Sequence, residues 1–307
     1  MKVSRERAED RPGAREVRAA LNGAQSGFRS PLDFVLGAYE ADETVLARLL
    51  PDPDGPAEPG APPVPPDGVN YIICYVPRSG STHLSSLLQS TGLAGAPAEY
   101  FNLGYADMPQ ERRHTFARTG VHTIESAAAE YGSRSVEGYL RTVAAKSRSA
   151  NGVFGLKADI THVSVLTRRR LFWNAQWDWK YVFVTRRDLV AQAVSYATAS
   201  ETGLWTSESG ERSDVQLSER TIAEALLKIA DITCRWECAF DLYGIEPLRV
   251  AYEEIEQSPD AAVERCLAYL GIGAERPARA VSSVYRKQRT ARSEEWVRRI
   301  RAQARNG

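Results

Sequence analysis

The sequence predicts an α/β fold, a P-loop-like parallel sheet flanked by helices. Three observations predict it. Strand-like and helix-like segments alternate from about residue 69 to the C-terminus, as they do when parallel strands are joined by helices packed on a sheet. The apolar run Tyr71 to Val76 leads into Pro77-Arg78-Ser79-Gly80-Ser81-Thr82, and a helical pattern starts at once. A second run, Lys180 to Thr185, ends on Arg186-Arg187-Asp188 and again leads into a helix. In sheets of this kind ligands sit at the carboxyl ends of the strands, where both arginine-bearing turns fall.

Residues 1–68 read as an N-terminal extension. Its first thirty residues are rich in charge, Ala and Gly; residues 32–50 carry helical apolar spacing (Leu32, Val35, Leu36, Tyr39, then Val45, Leu46, Leu49, Leu50). Eight prolines in the eighteen residues from Pro51 to Gly68 read as an extended linker. The main domain is therefore expected over residues 69–307. Strands are expected at 71–76, 153–157, 180–185 and 247–251. Helices are expected at about 82–91, 161–172, 189–200, 217–241, 260–270 and 293–304. The intervening stretch 105–150 reads as mostly helical and polar.

The turn after the first strand is the most telling segment. A helix starting there aims its unpaired N–H groups and positive dipole end back at the turn, which makes an anion site. Arg78 adds a positive charge. The turn lacks the second glycine and the lysine of a Walker A loop, and the second strand ends on two arginines before its acid. Such an end suits another phosphate better than a magnesium ion. Ser195, nine residues beyond Arg186, lies ~13 Å further along the helix. Two phosphate sites and no metal box imply a nucleotide phosphorylated at both ends of its ribose.

Composition narrows the function classes. Lys plus Arg and Asp plus Glu are 39 each, so no net field favours nucleic acid or an anionic membrane. The N-terminus is polar and no apolar run reaches membrane-spanning length, which predicts a cytoplasmic protein. Cys74, Cys234, Cys238 and Cys266 lack histidine partners at zinc spacing; they are expected to be buried free thiols, with no metal bound.

Four segments in order resemble the bacterial trehalose 2-sulfotransferase family. They are Arg78-Ser-Gly-Ser-Thr82; Thr91-Gly-Leu-Ala-Gly95 with Pro97 and Glu99-Tyr-Phe101; Arg186 to Ser195 with Gln192-Ala-Val-Ser195; and Lys287-Gln288 followed by Ser293-Glu-Glu-Trp-Val297. The resemblance covers about residues 70 to 305. It implies the sulfotransferase fold, 3′-phosphoadenylyl sulfate (PAPS) as co-substrate, and in-line transfer of its sulfuryl group to a hydroxyl of a sugar, glycolipid or glycosylated natural product. It also implies a homodimer. Arg78, Ser79, Gly80, Ser81 and Thr82 would hold the 5′-phosphosulfate, with Arg78 also stabilising the leaving phosphate. Arg186 and Ser195 would hold the 3′-phosphate; the one-residue-shorter spacing of animal cytosolic sulfotransferases would select Arg187 instead. Lys287 and Gln288 would clamp the cofactor.

By its surroundings in sequence alone Glu99 reads as a solvated loop carboxylate; the resemblance makes it the general base. Animal sulfotransferases use a histidine, so His83, His114, His122 and His162 are weighed beside it, His83 foremost because it lies in the first turn of the cradle helix. Lys157, in a matching Gly-x-Lys segment, and Asp159 are candidate acceptor contacts, and Trp205 is either a stacking surface or core. Two other classes stay open: an ATP-dependent P-loop phosphotransferase, and a noncatalytic nucleotide-binding protein.

Overall fold

The computed structural model describes residue 35 and residues 40–65, 67–103, 132–172, 176–205, 216–273 and 291–306. Its centre is a four-stranded, wholly parallel sheet of β1 (Val69–Tyr75), β2 (Val153–Ala158), β3 (Trp179–Thr185) and β4 (Leu248–Ala251), in the order β2-β1-β3-β4. The chain leaves β1 for β2 on one side, then crosses to β3 on the other. The carboxyl ends of β1 and β3 are thus the topological switch point, the place where such sheets open a crevice for ligand.

Strand side chains alternate between two cores. Ile72, Cys74, Phe154, Leu156, Ala158, Tyr181 and Phe183 face one layer, formed by α3 (Val136–Ser147), α4 (Ile160–Arg168), α5 (Leu189–Thr202) and α6 (Glu219–Leu242). Tyr71, Ile73, Tyr75, Val182, Val184 and Val250 face the other, formed by α2 (Ser81–Ser90), α7 (Tyr252–Gln257) and α8 (Pro259–Leu270). The N-terminal α1 (Glu40–Leu49) packs Leu46 into the first core, and the C-terminal α9 (Ala291–Asn306) adds Val297. These near-continuous apolar strands are what a sheet covered on both faces requires.

The described elements lie within a few residues of the sequence expectation, with informative exceptions. The expected helix 161–172 ends at Arg168, because Arg170 takes a left-handed φ of 56° and turns the chain. Helix α7 is additional to the expected elements; it starts directly after β4 and is only six residues long, too short to leave a periodic signal. Cys74 and Cys266 are buried, but Cys234 is exposed and Cys238 only half-buried on α6, correcting the expectation of four buried thiols. The apolar stripe of α6 is carried by Ile222, Ala225, Ile229, Ile232, Trp236 and Phe240 instead.

The proline-rich stretch lies against the sheet domain. Pro53 carbonyl accepts from the Val136 N–H, the Ser135 hydroxyl donates to the Pro56 carbonyl, and Val64 packs on the first core. Arg169 donates to Pro53 and pairs with Glu43 and Asp54. Among the described residues no helix is long and apolar enough to cross a membrane.

Candidate functional site

The site grows from the β1–α2 turn. Arg78 and Gly80 both have left-handed backbones, with φ of 65° and 84°. Gly80 has a second reason to lack a side chain: a Cβ there would stand 2.5 Å from Cδ2 of Tyr252. Helices α3, α4, α5 and α6 each begin on a side-chain cap, from Ser135, Asp159, Asp188 and Ser218. Helix α2 begins on Gly80 with no side-chain cap and no acid in its first turn. Its leading N–H groups and dipole are therefore presented to the turn without an internal anion, the condition for binding an external one. Ser79, fully buried, has a hydroxyl with no hydrogen-bond partner.

Helix α5 brings the second half of the site. Gln192, buried, donates through Nε2 to the Pro77 carbonyl at 2.8 Å. Arg78 Nε donates to Ser195 Oγ at 3.0 Å, and its NH1 to the Trp205 carbonyl. The first arginine-bearing turn is thus in direct contact with the helix that follows the second, across the β1/β3 switch point. Trp205 is 37 % exposed and meets Tyr196 edge-on at 5.7 Å.

The two neighbouring arginines part company. Arg186 lays its guanidinium over the Tyr252 ring at 4.6 Å, and its Nε is buried without a hydrogen-bond partner. Arg187 has a side chain 65 % exposed and paired with Glu254. The turn between them is pinned by Glu253, which accepts from the Arg187 and Asp188 N–H groups at 3.1 Å each. Tyr252 therefore touches both halves, filling the space beside Gly80 and supporting Arg186. Sequence reasoning missed it; its signal was its place directly after the last strand, at the same sheet edge. If Arg186 is the phosphate ligand, Arg186→Ala should weaken adenosine 3′,5′-bisphosphate binding roughly 10- to 100-fold, the worth of a charge-assisted hydrogen bond. Arg187→Ala should change it by less than about threefold, as for an exposed ion pair. Calorimetry on the two variants separates the assignments, and the reverse ranking would select Arg187.

Glu99 arrives by a route the sequence did not reveal. The segment after α2 runs along the outer edge of β2: Ala98 bridges Leu156 in parallel, and the Lys157 N–H donates to the Ala98 carbonyl at 2.9 Å. Gly95 makes the approach possible, because a Cβ there would stand 2.7 Å from the Val153 carbonyl. That register sets Glu99 beside Lys157. Lys157 Nζ lies 2.7 Å from Glu99 Oε1 and 2.8 Å from Thr82 Oγ1, and 5.0 Å from the centre of the Tyr75 ring. Asn102 donates to Glu99 Oε2 at 2.7 Å. Burial works to raise the Glu99 pKa, but the charges of Lys157 and His162 and the bonds from Lys157 and Asn102 outweigh it, holding the carboxyl well below the usual carboxylate range.

Asp159 caps α4, accepting from the N–H groups of Thr161 and His162. His162 is buried beside it and completes the capping box. His83 is half-buried in the first turn of α2, where burial lowers its pKa and the Glu256 carboxylate opposes the shift. Ser81 is buried at the start of α2. Lys287, Gln288, His114 and His122 lie outside the described residues.

A family model described as Stf0 sulphotransferase matches residues 70–303. The chain belongs to that family. Its Stf0 relatives include the trehalose 2-sulfotransferase of Mycobacterium tuberculosis (strain ATCC 35801 / TMC 107 / Erdman), 28 % identical over 259 aligned residues that span 76 % of this chain and 95 % of the relative. The trehalose 2-sulfotransferase of Mycolicibacterium smegmatis (strain ATCC 700084 / mc(2)155) is 27 % identical over 263, with the same two coverages. Among solved structures, the sulfotransferase domain of the curacin biosynthetic pathway aligns with a TM-score of 0.44 at 14 % identity, covering 76 % of this chain and 97 % of that one. The sulfotransferase domain of the Synechococcus PCC 7002 olefin synthase aligns at 0.41 and 14 %, covering 79 % and 90 %. As an Stf0 protein the chain is a sulfotransferase with the parallel α/β sheet described above.

Proposed function

We propose that this sulfotransferase takes its sulfuryl group from PAPS and passes it to a hydroxyl of a carbohydrate or glycosylated small molecule, with Glu99 as the general base. One observation carries the donor assignment. The uncapped start of α2 and the Arg186–Ser195 segment meet through the Arg78–Ser195 hydrogen bond, so one nucleotide can engage both. Two buried polar atoms without partners, Ser79 Oγ and Arg186 Nε, belong one to each half and support it. Such atoms cost about 1–3 kcal/mol each when left unpaired, and phosphate oxygens would satisfy them.

In this reading Arg78, the Ser79 hydroxyl and the N–H groups of Gly80 to Thr82 hold the 5′-phosphate and stabilise the charge that builds on it as it leaves; the Ser79 N–H itself donates to the Val76 carbonyl. Arg186 and Ser195 hold the 3′-phosphate. Sulfuryl transfer resembles phosphoryl transfer in needing positioning and preset electrostatics more than covalent participation by the protein. Glu99 accepts the acceptor's proton. The names of the two mycobacterial relatives support a sugar acceptor, and trehalose is the first to try. Lys287 and Gln288 remain proposed clamps on the donor, and a homodimer remains proposed as well.

The test is a transfer assay with sulfur-35-labelled PAPS, trehalose and a panel of other sugars and glycosides, with mass spectrometry of the products. Labelled sulfate ester on a sugar hydroxyl is expected. Binding of adenosine 3′,5′-bisphosphate without transfer to any hydroxyl acceptor would favour a noncatalytic nucleotide-binding role, and absence of binding would remove the donor assignment.

A further inference from the structure

The least expected contact in the site is the one that ties the base to the cradle. Lys157 is 5 % exposed and sits on β2, the strand flanking β1. An ammonium has three donors, and here one meets Glu99 Oε1 and another Thr82 Oγ1, while the face of Tyr75 lies below. Thr82 belongs to the first turn of α2, whose N–H groups form the anion cradle. The ammonium thus stands between a carboxylate and the place meant for an oxyanion.

Resting on the donor assignment above, we propose that Lys157 couples donor loading to base activation: it pairs with Glu99 while the cradle is empty, and shifts its charge to the donor's 5′-phosphosulfate when the cradle fills. A carboxylate paired to an ammonium is a weak base, since proton-transfer efficiency follows basicity. Among the described residues, the groups facing Glu99 include Lys157 from β2, His162 from α4 and Asn102 from its own loop. The Lys157 ammonium also reaches the cradle helix, through Thr82, whereas His162 is held in the α4 capping box, its Nδ1 accepting from the Asp159 N–H. Once the Lys157 charge turns to the donor, Glu99 gains proton affinity at the moment a sulfuryl group is in place to be attacked.

The acceptor oxygen forms its bond to sulfur while the bond from sulfur to the 5′-phosphate oxygen breaks. The bonding pair leaves on that phosphate oxygen, opposite the charge of Lys157. The acceptor's proton passes to Glu99 and then to water.

The experiment follows the Glu99 carboxyl by carbon-13 NMR in the full chain, assigned by its disappearance in Glu99→Gln, with adenosine 3′,5′-bisphosphate as the probe. Saturating bisphosphate is expected to move the Glu99 titration upward by about one to three pH units, the range for losing a neighbouring opposite charge. In Lys157→Met the titration should start higher and move by less than half as much. An equal movement in that variant would mean simple repulsion by the bound phosphate and would overturn the proposal. So would an unmoved wild-type titration in a sample where calorimetry records binding. Should Lys157→Met not fold, Lys157→Gln, which keeps a donor toward Glu99 without the charge, is read in the same way. If no bisphosphate binds, the donor assignment fails, and the coupling falls with it.

Discussion

Glu99→Gln is expected to lower turnover by about 10²–10⁴-fold, the usual worth of a positioned general base, without weakening adenosine 3′,5′-bisphosphate binding. The amide is nearly isosteric, and its oxygen can still accept from Lys157, so the contacts of Lys157 with Thr82 and the Tyr75 ring need not be disturbed. What is lost is the ability to take a proton. Steady-state kinetics beside calorimetry make the comparison, and turnover near the wild-type rate would remove Glu99 from the chemistry. The same variant changes acid stability in a defined direction. The folded Glu99 carboxyl is held below its unfolded value, which is about 4.3 for a free glutamate. Its contribution to stability is therefore fully present above that unfolded value and is lost as pH falls through the folded one. Glu99→Gln should flatten that part of the acid unfolding curve.

Arg78→Ala should lower turnover by about 10²–10³-fold, the cost of removing one preset donor to a developing charge. Arg78 is the residue through which the halves of the site touch, by Nε to Ser195 and NH1 to the Trp205 carbonyl. Its loss removes positive charge from the cradle and frees Ser195 and the Trp205 segment at once. The backbone there stays left-handed for any replacement, and alanine tolerates φ near 65° no better than arginine does. Arg78→Gly is the useful companion, since it deletes the same guanidinium while relieving the backbone. Both variants should melt near the wild-type temperature and be comparably slow. A fast Arg78→Gly beside a slow Arg78→Ala would assign the loss to backbone conformation.

Much of this molecule was legible in the chain because its signals are local. Each apolar run bounded by turn residues became a strand, and the arginine turns fell at the carboxyl ends because a parallel sheet leaves no other place for them. The cradle was readable for the same reason: a strand, a left-handed turn at Gly80 and a helix are consecutive in sequence. The different surroundings of Arg186 and Arg187 were not readable, because they are set by Tyr252 and Glu254 at the next strand edge, more than sixty residues away. Asp159, read as an acceptor contact, caps its helix, a role compatible with the same local pattern.

The sequence by itself determined the fold class, the order of the elements and the place of the two arginine-bearing turns, since backbone propensity and hydrophobic periodicity act over a few residues. Only the tertiary structure decided which charges meet. The β2-edge bridge at Ala98 sets Glu99 against Lys157, and the β2-β1 pairing sets Lys157 against Thr82. Coulomb energy depends on separation in space and on burial, and neither can be read from residue spacing along a chain.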